Sequence, residues 1–201
     1  MEIGAKMKVA NDAMEKTSAI ANYQMGLSEE RHRFEGLPSP TSTDYDEHLH
    51  NLEKIKNKNL EGISDPVIQN ELMLDFSLKG QLAGYESENF YNKKRVEVYE
   101  GNLLSLVDQE IKNPTEYSME NIKSYLDSGK QANLVGEKFY QQTLIKANDD
   151  IGANRINRDL YMARTPEEVD AVRDGITSGA YELGGVTIEP DKKKALLDIA
   201  D

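Results

Sequence analysis

Apolar residues recur at intervals of three and four along almost the whole chain, which is the period of an α-helix. Near the start, Ala13, Ile20, Leu27 and Phe34 stand seven residues apart, close to the heptad spacing of a coiled coil. The pattern predicts a helix over about residues 5–35. It favours an apolar seam that faces the protein's own core over one that pairs with a second chain.

Prolines, glycines and capping residues predict where the other helices begin and end. The segment Gly36–Thr43 contains two prolines and opposes helix continuation. Thr43 and Asp46 have the spacing of a capping box, and Asp65 followed by Pro66 is a strong helix start. Ser118 is a candidate cap, and Thr165 with Pro166 and Glu168 is the best helix start in the chain. The predicted helices after the first are about 44–61, 66–112, 118–128, 133–163, 166–178 and 190–201.

These elements predict an all-α fold, an elongated bundle of long antiparallel helices joined by Pro-containing turns. The break at Pro114 divides it into a long-helix arm, 1–112, and a second helical unit, 113–201. Phe90-Tyr91 and Phe139-Tyr140 each begin a similar run of long helix, proline turn and shorter helix. This weak repeat fits either a duplication or ordinary helical hairpins. Only residues 184–188 resemble a strand, and the helical pattern still continues at residue 201, so we expect a longer protein.

Composition narrows the classes of function. Only 38% of residues are apolar, against about 45–50% in typical domains, and the chain has no cysteine. Disulfide frameworks, cysteine nucleophiles and thiolate zinc sites are therefore excluded. The net charge of −12 opposes direct binding to nucleic acid. The chain shows no secretory segment and no membrane span, so we expect it to be soluble.

Candidate chemistry is sparse. His48 and His50 form the main histidine cluster, but residues two apart on a helix point in different directions and cannot hold one ion. Asp44 lies four residues before His48 and has no evident third ligand beside it. Glu29-Glu30 and Asp149-Asp150 are expected to be solvated helix faces. We predict no catalytic residue, no cofactor and no metal ligand.

Tyrosine is unusually frequent, with ten in the chain. Most of the ten fall on or beside the apolar stripes. A tyrosine ring packs well at thin helix contacts while its hydroxyl reaches water. The same property suits a surface that binds other proteins, and both interpretations stay open, with packing favoured.

The order of several short motifs carries a family resemblance. These motifs are Phe34-Glu35-Gly36-Leu37, Asp44-Tyr45-Asp46, Gly62-Ile63-Ser64-Asp65-Pro66, Tyr91-Asn92-Lys93-Lys94-Arg95-Val96-Glu97, Ser178-Gly179-Ala180-Tyr181 and Ile188-Glu189-Pro190-Asp191. In this order and spacing the chain resembles the helical regions of virion proteins of tailed bacteriophages, of the internal or ejection type. The resemblance implies a structural role in the phage particle and passage with DNA into the host envelope. It implies contacts with copies of itself and with other virion proteins, and delivery to the host periplasm. No lytic motif accompanies it.

Two other classes of function remain. A cytoplasmic helical adaptor or scaffold that holds protein partners would show the same helices. An enzyme with an acidic cleft between helices would need a concave pocket with converging acids or His48. We expect a non-enzymatic virion protein.

The predicted architecture can be tested in solution. Circular dichroism should show predominantly helix, because strand patterns are nearly absent. Small-angle scattering should give a radius of gyration well above the roughly 16–17 Å of a compact domain of this length. A compact globule rich in sheet would contradict both expectations.

Overall fold

The computed structural model describes residues 2–182 and 185–200. Within these residues the chain forms seven α-helices and one short 3₁₀ helix, so the all-α class predicted from the sequence is confirmed. The α-helices are α1 (Glu2–Glu35), α2 (Ser42–Glu61), α3 (Pro66–Lys112), α4 (Ser118–Gln131), α5 (Glu137–Met162), α6 (Pro166–Ser178) and α7 (Pro190–Ala200), and the 3₁₀ helix is Ala180–Glu182.

Two predicted helix starts are confirmed in detail. The backbone N–H of Val67 donates to Oδ1 of Asp65 at 2.9 Å, so Asp65 caps α3 just before Pro66. At α6, Thr165 and Glu168 form a capping box in which each side chain accepts from the other's backbone N–H. Proline occupies the first turn of both helices, where its missing N–H costs no hydrogen bond.

Two predicted caps are wrong. The capping box of α2 is made by Thr41 and Asp44, because the helix already begins at Ser42 and places Thr43 inside its first turn. At α4 the N-cap residue is Tyr117, which makes no side-chain cap. Ser118 instead donates to Glu110 at 2.7 Å and accepts from the backbone N–H of Thr115 at 2.9 Å. That serine therefore fixes the turn before α4.

The chain divides into two compact units, residues 1–95 and 96–201. The division falls inside α3, between Arg95 and Val96, whereas the proline pattern placed it after residue 112. A long helix needs no break in its backbone to contribute one part to each of two cores. The core of the second unit accordingly includes Leu103, Val107 and Ile111 from the last turns of α3.

In the first unit, α1 and the part of α3 that belongs to this unit run in the same direction, and α2 runs opposite to both. Lys16 of α1 pairs with Glu71 of α3, and Arg31 pairs with Glu86, each at 2.7 Å. The paired residue numbers increase together along both helices, so α1 and α3 are parallel. The buried side chains of this core include Tyr23, Phe34, Leu52, Leu72 and Phe76. The predicted seam of α1 is only partly right. Val9 and Ala13 are exposed, and the burial pattern follows the helical period from Ala19 onward.

Tyr23 shows how a tyrosine serves this core. It is fully buried, stacks on Phe76 with ring centroids 4.0 Å apart, and donates its hydroxyl to the backbone carbonyl of Phe76 at 2.6 Å. Burial raises its pKa to about 12, helped by the nearby charges of Glu53 and Asp75. Packing is therefore the role of this tyrosine, whereas Tyr161 in the second unit is 89% exposed.

The second unit surrounds a larger apolar core. Its fully buried large apolar side chains include Ile122, Leu126, Ile151, Ile156 and Ile176. Residues 185–189 form no regular structure, but Val186 and Ile188 are buried and Thr187 between them is exposed. Gly152 of α5 lies beneath both buried side chains. The β-like run thus packs as an extended segment rather than in a sheet, and Gly184 at its start lies outside the described residues.

The two aromatic pairs of the weak repeat occupy different positions in their helices. Phe90 lies in the middle of α3, whereas Phe139 lies in the first turn of α5. The two runs therefore do not begin at equivalent positions of a helix, and the repeat stays a prediction.

The packing of Gly152 can be tested by adding one methyl group. A Cβ at this position would lie 2.5 Å from Cγ1 and 2.8 Å from Cδ1 of Ile188. Overpacking of this kind outweighs the higher helix propensity of alanine, so we expect Gly152→Ala to lower the free energy of unfolding by about 1–2 kcal/mol. Urea unfolding followed by circular dichroism measures this.

Gly101→Ala in α3 is the matched control. A Cβ at Gly101 meets nothing within 4 Å, so this substitution should stabilise the protein by up to about 1 kcal/mol through helix propensity alone. Equal effects of the two substitutions would contradict the packing of residues 186–188 on α5.

Candidate functional site

A polar network lies inside the otherwise apolar core of the first unit. His48 of α2 is fully buried, and each of its ring nitrogens has a partner on another helix. Nδ1 lies 2.9 Å from Oε1 of Glu30 on α1, and Nε2 lies 2.8 Å from Oγ of Ser87 on α3. One imidazole therefore joins all three helices of this unit.

Each member of the network occupies a position in the buried stripe of its helix. Glu30 lies one turn before Phe34, His48 one turn before Leu52, and all of these side chains are buried. Residues four apart share a helix face. The same periodicity that builds the apolar core therefore also brings the three polar side chains to its interior.

Aromatic rings close the network off on one side. The ring of Phe34 stacks on the imidazole of His48 with centroids 4.4 Å apart and an interplanar angle of 17°. Phe90 meets Phe34 edge-on at 5.7 Å. Water is excluded from this face of His48, so its hydrogen bonds must be made within the protein.

Glu30 is the charged end of the network. Arg33 donates Nε to its Oε2 at 2.9 Å and Nη2 to its Oε1 at 2.7 Å, a two-point contact. Burial acts to raise the pKa of Glu30, but the hydrogen bonds from Arg33, His48 and Asn51 outweigh it, so the pKa lies below its ordinary value of 4.5. The carboxylate is therefore held in its charged form.

The hydrogen-bond partners allow His48 two states. In the neutral ring, Nδ1–H donates to Glu30 and Nε2 accepts the hydroxyl hydrogen of Ser87. In the charged ring, Nε2–H donates to Oγ of Ser87, whose hydrogen then goes to the backbone carbonyl of Ala83, 2.8 Å away. Both arrangements satisfy both ring nitrogens.

Carboxylate, imidazole and hydroxyl occur here in the order that serine hydrolases use. A groove of about 290 Å³ runs past His48 and Ser87, and its other lining residues include Leu27, Leu52 and Leu82. The part of such a site that stabilises an oxyanion is not formed by the backbone. Ser87 lies inside α3, where the backbone N–H groups are bonded within the helix.

The two cations that line the groove are also engaged. Arg31 binds Glu35 and Glu86, each at 2.7 Å, and Lys79 binds Asp75 at 2.7 Å. Both cations are already paired with carboxylates within the unit. The arrangement is thus suited to fixing the relative rotation of three helices.

The histidine cluster separates as its spacing predicts. His48 is buried and His50 is exposed, so the two rings do not meet. Asp44, the other candidate ligand, caps α2 through Thr41. Across residues 2–182 and 185–200, no group of three or more His, Asp or Glu side chains is placed to hold a metal ion.

The expectation that Glu29-Glu30 is a solvated face is wrong for Glu30. Glu29 is exposed, but Glu30 is only 8% exposed. Its position seven residues after Tyr23 and four before Phe34 places it in the buried stripe of α1. That spacing was visible in the sequence, whereas the identity of its partners, His48 and Arg33, required the fold. The same expectation fails for Asp150, which is half-buried and pairs with Lys192 at 3.2 Å.

Comparisons with protein families, with curated proteins and with solved structures find no match to this chain. No helix in the described part of the chain is long and apolar enough to cross a membrane. The described residues define an all-α protein whose first unit contains a buried polar network within its apolar core.

Acid should lower the free energy of unfolding by protonating Glu30, and the variant Glu30→Gln should lack this part of the loss. Because the pKa of Glu30 is lower in the folded state, the carboxylate contributes stability that is fully present above about pH 4.5 and lost as the pH falls through the folded pKa. At pH 7 we expect Glu30→Gln to cost about 1–3 kcal/mol. Urea unfolding from pH 7 down to pH 3 should show this difference shrinking.

Glu29→Gln, on the exposed neighbour, is the control and should differ from the unsubstituted protein by the same small amount at every pH. A difference for Glu30→Gln that stays constant down to pH 3 would show that the buried carboxylate is not stabilised in its charged form.

Proposed function

We propose that this chain is a non-enzymatic structural protein of a tailed-bacteriophage particle, acting through contacts with other protein chains. The observation that carries the structural role is a row of exposed apolar residues on α3. This outer stripe of α3 consists of Val67, Leu74, Leu78, Leu82 and Tyr85, all between 60% and 76% exposed. Rows of large exposed apolar side chains are typical of protein-binding faces.

A second apolar face on α1 supports the same role. Met7, Met14 and Met25 fall on one side of the helix by their spacing, and all three are more than half exposed. Methionine side chains are flexible and polarisable, and they adapt to partner surfaces of different shape. In the first unit, α1 and α3 thus both expose large apolar side chains to solvent.

The chemistry of the buried network also favours a structural role. Ser87 has a base beside it, but no backbone N–H pair faces its Oγ, and the nearby cations are engaged. A relay without an oxyanion site lacks the interaction that usually contributes most to acyl transfer. Its hydrogen bonds instead hold α1, α2 and α3 in one register.

The phage setting rests on the sequence resemblance. Helical virion proteins of the internal or ejection type assemble within the particle and travel with DNA into the host envelope. A net charge of −12 repels DNA, which suits a protein that DNA passes and does not bind. The proposed locations are the virion and, after delivery, the host periplasm.

A cytoplasmic adaptor or scaffold is the alternative that the same outer stripe favours. Both functions need apolar surface for protein partners. They differ in where the chain resides and in its copy number within an assembly.

The proposal is tested on purified phage particles that carry the gene. Quantitative mass spectrometry should find this chain in the particle at a copy number matched to a symmetric assembly. A chain found only in the infected-cell lysate, bound to cellular proteins, would favour the adaptor function.

A fluorophosphonate probe should label the purified protein no more than it labels Ser87→Ala. Labelling that disappears in Ser87→Ala would overturn the non-enzymatic part.

A further inference from the structure

Helix α3 is apolar on two roughly opposite sides. Toward the core of the first unit it presents Leu72, Phe76 and Ser87, all nearly or fully buried. At 100° per residue, the outer stripe of α3 spans an arc of about 80° on the other side. A helix with apolar side chains on two sides offers a second face that a partner can cover.

Covering the outer stripe of α3 is favourable through the hydrophobic effect. The gain from burying an exposed Leu or Val side chain is roughly proportional to the apolar area removed from water. The outer stripe contains five large apolar side chains, and Glu71, which pairs with Lys16, lies within the same arc. Covering the five apolar side chains would therefore favour association.

The spacing of four of the five stripe residues is self-complementary when two copies of α3 run in opposite directions, whereas Leu82 would face Asn70. With a two-fold axis near position 76, Val67 of one copy faces Tyr85 of the other, and Leu74 faces Leu78. Small meets large at the ends and leucine meets leucine near the centre. We propose that a second copy of this chain covers the outer stripe of α3, as an antiparallel helix pair.

The charges beside the stripe favour this direction. In the antiparallel register, Glu71 faces Gln81 and Asp75 faces Ser77, so no acid opposes an acid. A parallel pair would bring Glu71 against Glu71 and Asp75 against Asp75, and like charges at such positions repel. Both acids already have partners within the chain, Lys16 and Lys79, each at 2.7 Å.

The size of the interface predicts a modest affinity. The stripe from both copies with its polar rim would bury about 1,000 Å², near the lower end of specific interfaces. Each copy carries a charge of −12, and added salt screens repulsion between copies. We therefore expect a dimer that forms with rising concentration and is strengthened by salt.

This inference rests on the proposed function in that both assign the stripe to a protein partner, but it commits to a second copy. Sedimentation equilibrium of the full chain, over about 1–500 μM, should show a monomer–dimer transition. Leu74→Lys and Leu78→Glu should each weaken dimerisation at least tenfold. Mixing the two variants should restore it, because position 74 of one copy faces position 78 of the other.

Met14→Lys is the matched control, since Met14 is equally exposed but lies on α1, and it should leave the dimer unchanged. Circular dichroism checks that every variant is folded. A monomer at all concentrations, or a dimer indifferent to Leu74→Lys and Leu78→Glu, would overturn the inference. Neither result would bear on whether the chain is present in the phage particle. Mass spectrometry of the particles tests the proposed function separately.

Disulfide formation reports the direction of pairing, because the chain has no cysteine of its own. Under mild oxidation, a mixture of Leu74→Cys and Leu78→Cys proteins should cross-link between the two kinds. Cross-linking of each variant mainly with itself would indicate a parallel pair and overturn the antiparallel register.

Discussion

The two hydrogen bonds of the buried His48 set the geometry on which the first unit depends. An imidazole without water must find partners for both ring nitrogens, and an unsatisfied one costs about 1–3 kcal/mol. Glu30 and Ser87 meet this need only when α1 and α3 are rotated to face α2 at the right height. Apolar packing alone tolerates small slips between helices, whereas this network admits one register.

The boundaries of the helices could be predicted from the sequence because local chemistry decides them. Asp65 before Pro66 and the capping box of Thr165 and Glu168 satisfy N–H groups within a few residues, so their effect is visible in a short window. The capping box of α2 was misplaced for the same local reason. Two threonines lie near its start, and only the fold shows that Thr41 rather than Thr43 has the non-helical backbone.

The buried network could not be predicted in the same way. Glu30, His48 and Ser87 are far apart in sequence. Each is of a residue type that is common at exposed positions of a helix. Their burial follows from the period of each helix, which the sequence does show. Their pairing follows from how three helices meet, which it does not. The division of the chain within α3 could not be predicted for a related reason. One helix can contribute residues to two cores without a proline or glycine break between them.

The network and the outer stripe of α3 are linked through the rotation of one helix. Ser87 must face His48, and this requirement turns Val67, Leu74, Leu78, Leu82 and Tyr85 away from the core of the unit. If apolar burial alone set the rotation, the leucines of the outer stripe would compete with Leu72 and Phe76 for the interior. A polar side chain in the buried face removes this competition, because only one rotation satisfies the imidazole. The polar interior therefore specifies which apolar surface faces outward, and folding of the unit and exposure of the outer stripe become a single event.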